Sequence, residues 1–153
     1  MAESQFVYVT YIRTTAEKLW RALIEPEFTR RYWHDTIQES EWKPGASWRI
    51  VTPDGRTADS GEVVEIVPYR RLVLTWLHHL HPEAKAEGYS RLTYTLEEMG
   101  DVVKLTVLHE MDKSGSTLIK AISGGWPMIL ASLKSLLETG QSLEATHRWP
   151  QGM

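Results

Sequence analysis

Trp48, Trp76, His78, Tyr94 and His109 fall on one face of a run of alternating segments in the middle and later part of the chain. Trp and Tyr each bring a large apolar body with one hydrogen-bonding group. A buried imidazole can position a ligand carbonyl or hydroxyl, or act as a base. The same face carries Ile50, Val64, Leu74, Leu92, Leu105 and Val107. A close-packed core favours aliphatic side chains, whereas apolar walls with a few polar tips are the usual lining of a ligand cavity. The competing arrangement is a solid core in which the Trp N–H, Tyr O–H and imidazole groups are paired internally. His109, at the end of the inward row, is the sharpest single candidate. Trp33 and Trp126, with Ile129, are candidates to close the cavity from the helical side.

Other constellations fail on spacing. His109-Glu110 begins like a zinc-protease helix motif, but Lys113 stands where the second His is needed. His78, His79 and His81 would be scattered over both faces of a strand, and no carboxylate partner for them is evident. His34 and Asp35 are neighbours in sequence that need not point together, and exposed loop residues are the ordinary expectation. Gly88-Tyr89-Ser90-Arg91 is followed by Leu92, where a nucleophile elbow needs Gly. Neither a phosphate loop nor a dinucleotide fingerprint occurs. No catalytic residue, metal ligand or cofactor is assigned.

The elements that must position these residues are legible from periodicity. A strand is expected over Gln5 to Arg13. Thr14 and Glu17 read as a capping box for a helix through Ala16, Leu19, Trp20 and Leu23. Pro26 ends it and opens a short second helix through Phe28, Tyr32 and Trp33. From there to about Glu110 the period is two, with turns at Pro53-Asp54-Gly55, at Pro68-Tyr69, over His81 to Gly88 and over Glu98 to Asp101. Val64 and Ile66 are read as inward, alternating with Glu65. Leu118, Ile122, Trp126, Ile129, Leu130, Leu133, Leu136 and Leu137 form a helical stripe. Pro127, just after Gly124-Gly125, is expected to open the main helix beyond a kink, and Gly140 to end it. The fold class is therefore α+β: a curved antiparallel sheet of six to seven strands around a long C-terminal helix, with two short helices after the first strand. One domain covers residues 1–140, and Gln141 to Met153 is expected to be a loose tail.

Composition sets outer limits. The 153 residues include 17 Lys and Arg against 20 Asp and Glu, a net charge of -3. With no Cys, disulfides and thiolate chemistry are excluded. Basic residues never exceed two in a row, so no nucleic-acid footprint exists. The longest uncharged run, Ala121 to Leu133, has 13 residues, too few for membrane insertion. No signal-peptide pattern opens the chain, and a cytoplasmic location is expected.

Several blocks together resemble a known family: Pro26-Glu27-Phe28 through Tyr32-Trp33, Trp42 to Gly45 with Ser47-Trp48-Arg49, Gly61 to Glu65, and Pro68 to Trp76. Ser90 to Thr93, Leu105 to Glu110, Gly124-Gly125-Trp126-Pro127 and Leu133 to Glu138 complete the order. The sequence resembles homologues of the heat-shock-protein-90 ATPase activator, within the START-related or SRPBCC superfamily, over roughly Phe6 to Gly140. The resemblance implies a helix-grip fold with a cavity between sheet and C-terminal helix. The eukaryotic co-chaperones that name the family carry a further N-terminal domain, for which this chain leaves no room. Binding of a small hydrophobic or amphipathic ligand, without catalysis, is the expected function. Its contacts would be Trp33, Trp48, Trp76, His78, Tyr94, His109, Trp126 and Ile129. A chaperone-associated role and a cyclase or dehydratase activity on a polyketide-like substrate are the alternatives the resemblance implies. A chaperone partner and a homodimer are the protein contacts considered.

Overall fold

The period-two stretch folds as six strands, which join the N-terminal one, because its β-branched and aromatic residues alternate between a covered and a wetter face. The computed structural model describes residues 2–153. The strands are β1 (Ser4–Ile12), β2 (Ile37–Ser40), β3 (Ser47–Val51), β4 (Thr57–Val67), β5 (Arg71–His78), β6 (Ser90–Met99) and β7 (Val102–Met111). They form one antiparallel sheet in the order β1-β7-β6-β5-β4-β3-β2. Two short helices, α1 (Ala16–Ile24) and α2 (Pro26–Tyr32), follow β1, and α3 (Pro82–Ala86) lies between β5 and β6. The long helix α4 (Thr117–Thr139) closes the buried face, where Leu130 and Leu133 meet Leu72, Leu92 and Leu105 in one core. This is the α+β helix-grip arrangement expected.

Four local readings differ from the expectation. The N-cap of α1 is Thr15, whose hydroxyl accepts from the Lys18 amide. Thr14 is not the cap, and its hydroxyl is buried without a partner. The inward residue of β4 is Val63, at 1% exposure, not Val64, at 43%. A bulge between Val63 and Glu65 shifts the pairing with β5 and reverses the alternation there. Helix α4 starts ten residues before Pro127, which lies inside it. Finally, the polar loop after His78 contains α3, whose N-terminus is capped by the His81 ring.

The start of α4 explains why Pro127 is not its first residue. The Ser116 hydroxyl accepts from the Ile119 amide. The Glu87 carboxylate accepts from the Ser116 hydroxyl at 2.7 Å, the Thr117 amide at 2.7 Å and the Leu118 amide at 3.1 Å. Donors that a helix leaves orphaned are thus satisfied by an anion from outside it. Burial works to raise the Glu87 carboxyl, but these hydrogen bonds and nearby Lys113 outweigh it and hold the group below its ordinary value. Glu87→Ala is expected to cost about 2 kcal/mol by urea unfolding at neutral pH. Because the folded-state pKa is lowered, this stabilisation is present above the ordinary carboxyl range and is lost as pH falls through the folded value.

The far end of α4 also grips the sheet. Lys134 Nζ donates to the Tyr11 carbonyl at 2.5 Å and pairs with Glu138 at 2.7 Å, while Glu138 accepts from the Arg13 amide at 2.8 Å. Gly140 then ends the helix in the left-handed conformation, at φ 83°.

The segment after Gly140 is docked, not loose. Thr146, in a short 3-10 turn (Glu144–Thr146), is fully buried and bonded to Ser132 of α4 at 2.7 Å. Its carbonyl accepts from the His34 amide. Single polar contacts with no periodicity hold this segment, so no pattern in the sequence announces it.

Candidate functional site

Antiparallel pairing places Asp59 of β4 directly opposite His78 of β5, and directly opposed residues share a face of the sheet. Asp59 Oδ1 accepts from His78 Nδ1 at 2.7 Å and from the Trp76 indole N–H at 2.8 Å. Asp59 is only 8% exposed. Its hydrogen bond to His78, with its charge, outweighs burial and raises the His78 pKa above the ordinary imidazole value. Nε2 of His78 has no hydrogen-bond partner among the described residues. Asp59 is the carboxylate partner of this histidine that is not evident from the sequence. The available signal was an Asp in a strand-forming segment, a residue type that strands disfavour, set opposite a His in hairpin register.

His78 and Asp59 line a cavity of about 300 Å³. Its walls are Trp33 and His34 after α2, Ile50 of β3, Trp76, and Leu118, Ile122, Trp126 and Ile129 of α4, with Trp149, Pro150 and Met153 of the C-terminal segment on one side. Of the eight expected contacts, Trp33, Trp76, His78, Trp126 and Ile129 line this cavity. Trp48, Tyr94 and His109 do not: they are at most 2% exposed and lie in the packed layer behind it.

That layer is largely aromatic. Trp76 lies 4.9 Å from Trp48, 5.3 Å from His109, 6.0 Å from Trp126 and 6.3 Å from Trp33, centroid to centroid. Trp126 in turn meets Trp33 at 5.3 Å and Tyr94 at 6.1 Å. Offset and edge-on contacts at these separations are favourable. The indoles thus fill most of the space that the sequence suggested as a pocket.

His109 is internally satisfied. The Trp126 indole N–H donates to its Nδ1 at 3.3 Å, which leaves Nε2–H to donate to Ser90 Oγ at 2.7 Å. Ser90 Oγ donates onward to the Trp76 carbonyl at 3.2 Å. Burial lowers the His109 pKa to about 3, so at neutral pH the ring is uncharged. Burial also raises the pKa of Tyr94.

His34 and Asp35 do not form an acid/base pair. Both adopt positive φ, 52° and 59°, and His34 Nδ1 donates to the Arg148 carbonyl at 2.9 Å. His79 points away from His78: its Nε2 bonds Ser60 Oγ at 2.6 Å in a groove on the other sheet face.

No helix among the described residues is long and apolar enough to cross a membrane. No curated protein matches the sequence. Solved structures do. Protein MLL2253 from Mesorhizobium loti is 25% identical with a TM-score of 0.73, the match covering 88% of this chain and 96% of that one. The Aha1 dimer from Colwellia psychrerythraea is 18% identical with a TM-score of 0.72, over 91% and 99% of the two chains. DynU16, a protein of the dynemicin biosynthetic locus, is 20% identical with a TM-score of 0.73 over 95% of this chain, which spans 49% of DynU16. These likenesses concern the fold. The sequence itself matches the family model of activator of Hsp90 ATPase homolog 1-like proteins over residues 13–138, most of its length, and the chain belongs to that family.

Proposed function

We propose that the protein binds a small amphipathic molecule between the sheet and α4, with an apolar body among Trp33, Trp76, Trp126 and Ile129 and one polar group at His78. One observation carries this reading. A largely apolar cavity contains a carboxylate–imidazole pair with a free ring nitrogen. Such a pair costs desolvation and adds little to the stability of a core, whereas a few convergent polar groups in an apolar wall fix a ligand's orientation.

Native mass spectrometry of gently purified protein tests it. A reproducible small-molecule adduct is expected, absent from Ile122→Trp, which fills the cavity, and weakened in His78→Gln. A clean apo mass after incubation with a lipid and metabolite mixture would sink the reading.

The same pair favours a second reading, general acid/base catalysis on a carbonyl compound, in which Asp59 orients the imidazole. Then His78→Gln lowers turnover by ~100-fold or more while ligand affinity changes little. Chaperone-associated action, suggested by the family description, would use the outer surface. It would respond to charge reversal there and be indifferent to Ile122→Trp.

A further inference from the structure

We propose that residues 148–153 are a tethered lid on the cavity, and that the ligand which displaces them is an apolar oxyanion whose negative oxygens take over the hydrogen bond that Arg56 now gives the lid. This rests on the reading of the cavity as a binding site.

The C-terminal segment has two mechanical parts. Up to Thr146 it is fixed to α4 through the buried Ser132 contact. Beyond Thr146 no residue is fully buried, yet Trp149, Pro150 and Met153 form one wall of the cavity. This part is held by few polar contacts. His34 donates to the Arg148 carbonyl, and the main-chain oxygen of Met153 accepts from Arg56 at 2.5 Å and from the Trp149 indole at 3.0 Å. Gly152, at φ 84°, makes the turn that folds Met153 back onto Trp149.

The lid therefore presents an indole and a thioether to the apolar walls and an acceptor oxygen to a guanidinium. A molecule with an aromatic body and a carboxylate or sulfonate would reproduce both contacts, its oxyanion taking the place of the Met153 oxygen on the guanidinium in a charge-assisted hydrogen bond. Arg56 also pairs with Asp54 at 2.9 Å, so its fork is already oriented.

The test uses the full chain and two probes of similar shape: 8-anilinonaphthalene-1-sulfonate, which is anionic, and N-phenyl-1-naphthylamine, which is neutral. Trp149→Ala weakens the lid directly. Gly152→Val weakens it without touching the core, because a β-branched residue resists that φ. Both variants should bind the sulfonate roughly ten-fold more tightly than the parent chain, since the competent state no longer competes with the lid. Adding Arg56→Gln should remove most of that gain for the sulfonate and leave the neutral probe unchanged. Carbethoxylation of His78, followed by peptide mass, reads the lid without any ligand and should be several-fold faster in both variants.

Equal His78 labelling in parent and variants overturns the lid, whatever the probes do. Faster labelling with no probe bound leaves the lid standing and overturns the cavity's binding role together with the ligand class. Faster labelling with equal gains for both probes overturns the oxyanion alone.

Discussion

Gly61→Ala is expected to destabilise the protein by about 4 kcal/mol or more, the range reserved for steric conflicts in a fixed backbone. A Cβ at this position would lie 2.0 Å from the Thr75 carbonyl oxygen and 2.6 Å from its carbon. Neither is the end of a flexible side chain, so β4 and β5 would have to separate. The close approach there has two further occupants. Trp48, which pairs with Gly61 across β3 and β4, donates its indole N–H to the same carbonyl at 2.9 Å. The Glu62 amide donates to the Thr75 hydroxyl at 2.8 Å. The glycine is thus where the backbone of β5 and an indole from β3 approach β4 closely. Thermal unfolding and the fraction of soluble protein measure the effect. A variant that melts within a few degrees of the parent would mean that the strands are not held this closely.

Stability is expected to fall on mild acidification, well before most carboxylates titrate. His109 has an ordinary value of 6.5 and a folded value of about 3. The unfolded chain therefore binds more protons than the native one throughout that window, and stability decreases as pH falls through it. Between pH 6.5 and 4.5 the loss is about 2–3 kcal/mol from this residue. His78 offsets only a small part of it. Its folded pKa is raised, so its contribution is complete below the unfolded value and is lost only as pH rises through the folded one. Urea unfolding across this range checks the slope. His109→Gln should flatten it, at the cost of lower stability at pH 7 where the Ser90 and Trp126 partners lose their fit. An unchanged slope in that variant would show that the buried imidazole is not what the acid attacks.

The sheet and α4 were legible because each repeats a pattern over many residues: Val103, Leu105, Val107 and His109 on one strand, Leu130, Leu133 and Leu137 on the helix. What escaped depends on single residues. One bulge moved the inward position from Val64 to Val63. Two adjacent threonines made the α1 cap ambiguous, and only the backbone geometry selects Thr15. Pro127 looked like a helix start because the true start is completed by Glu87, about thirty residues earlier and on another element. The site was legible in part for the same reason. Trp76 and His78 follow from alternation on β5, and Trp126 and Ile129 from the helical stripe. Asp59 depends on the register between two strands, and the wall at Trp149 on a segment with no period at all.

The clustering of indoles has an optical consequence. Trp33, Trp48, Trp76 and Trp126 form a connected set with neighbouring ring centroids 4.9 to 6.3 Å apart, so their π–π* transitions couple instead of absorbing independently. Three of the four ring pairs are inclined by 53° to 63°, and coupled transitions held at such fixed angles rotate light strongly and pass excitation from ring to ring before any one emits. Since Trp33, Trp76 and Trp126 also face the cavity, a guest that shifts one ring perturbs the spectrum of the whole set. Near-ultraviolet circular dichroism of the unmodified protein thereby becomes a gauge of occupancy, with the chromophore already built into the wall.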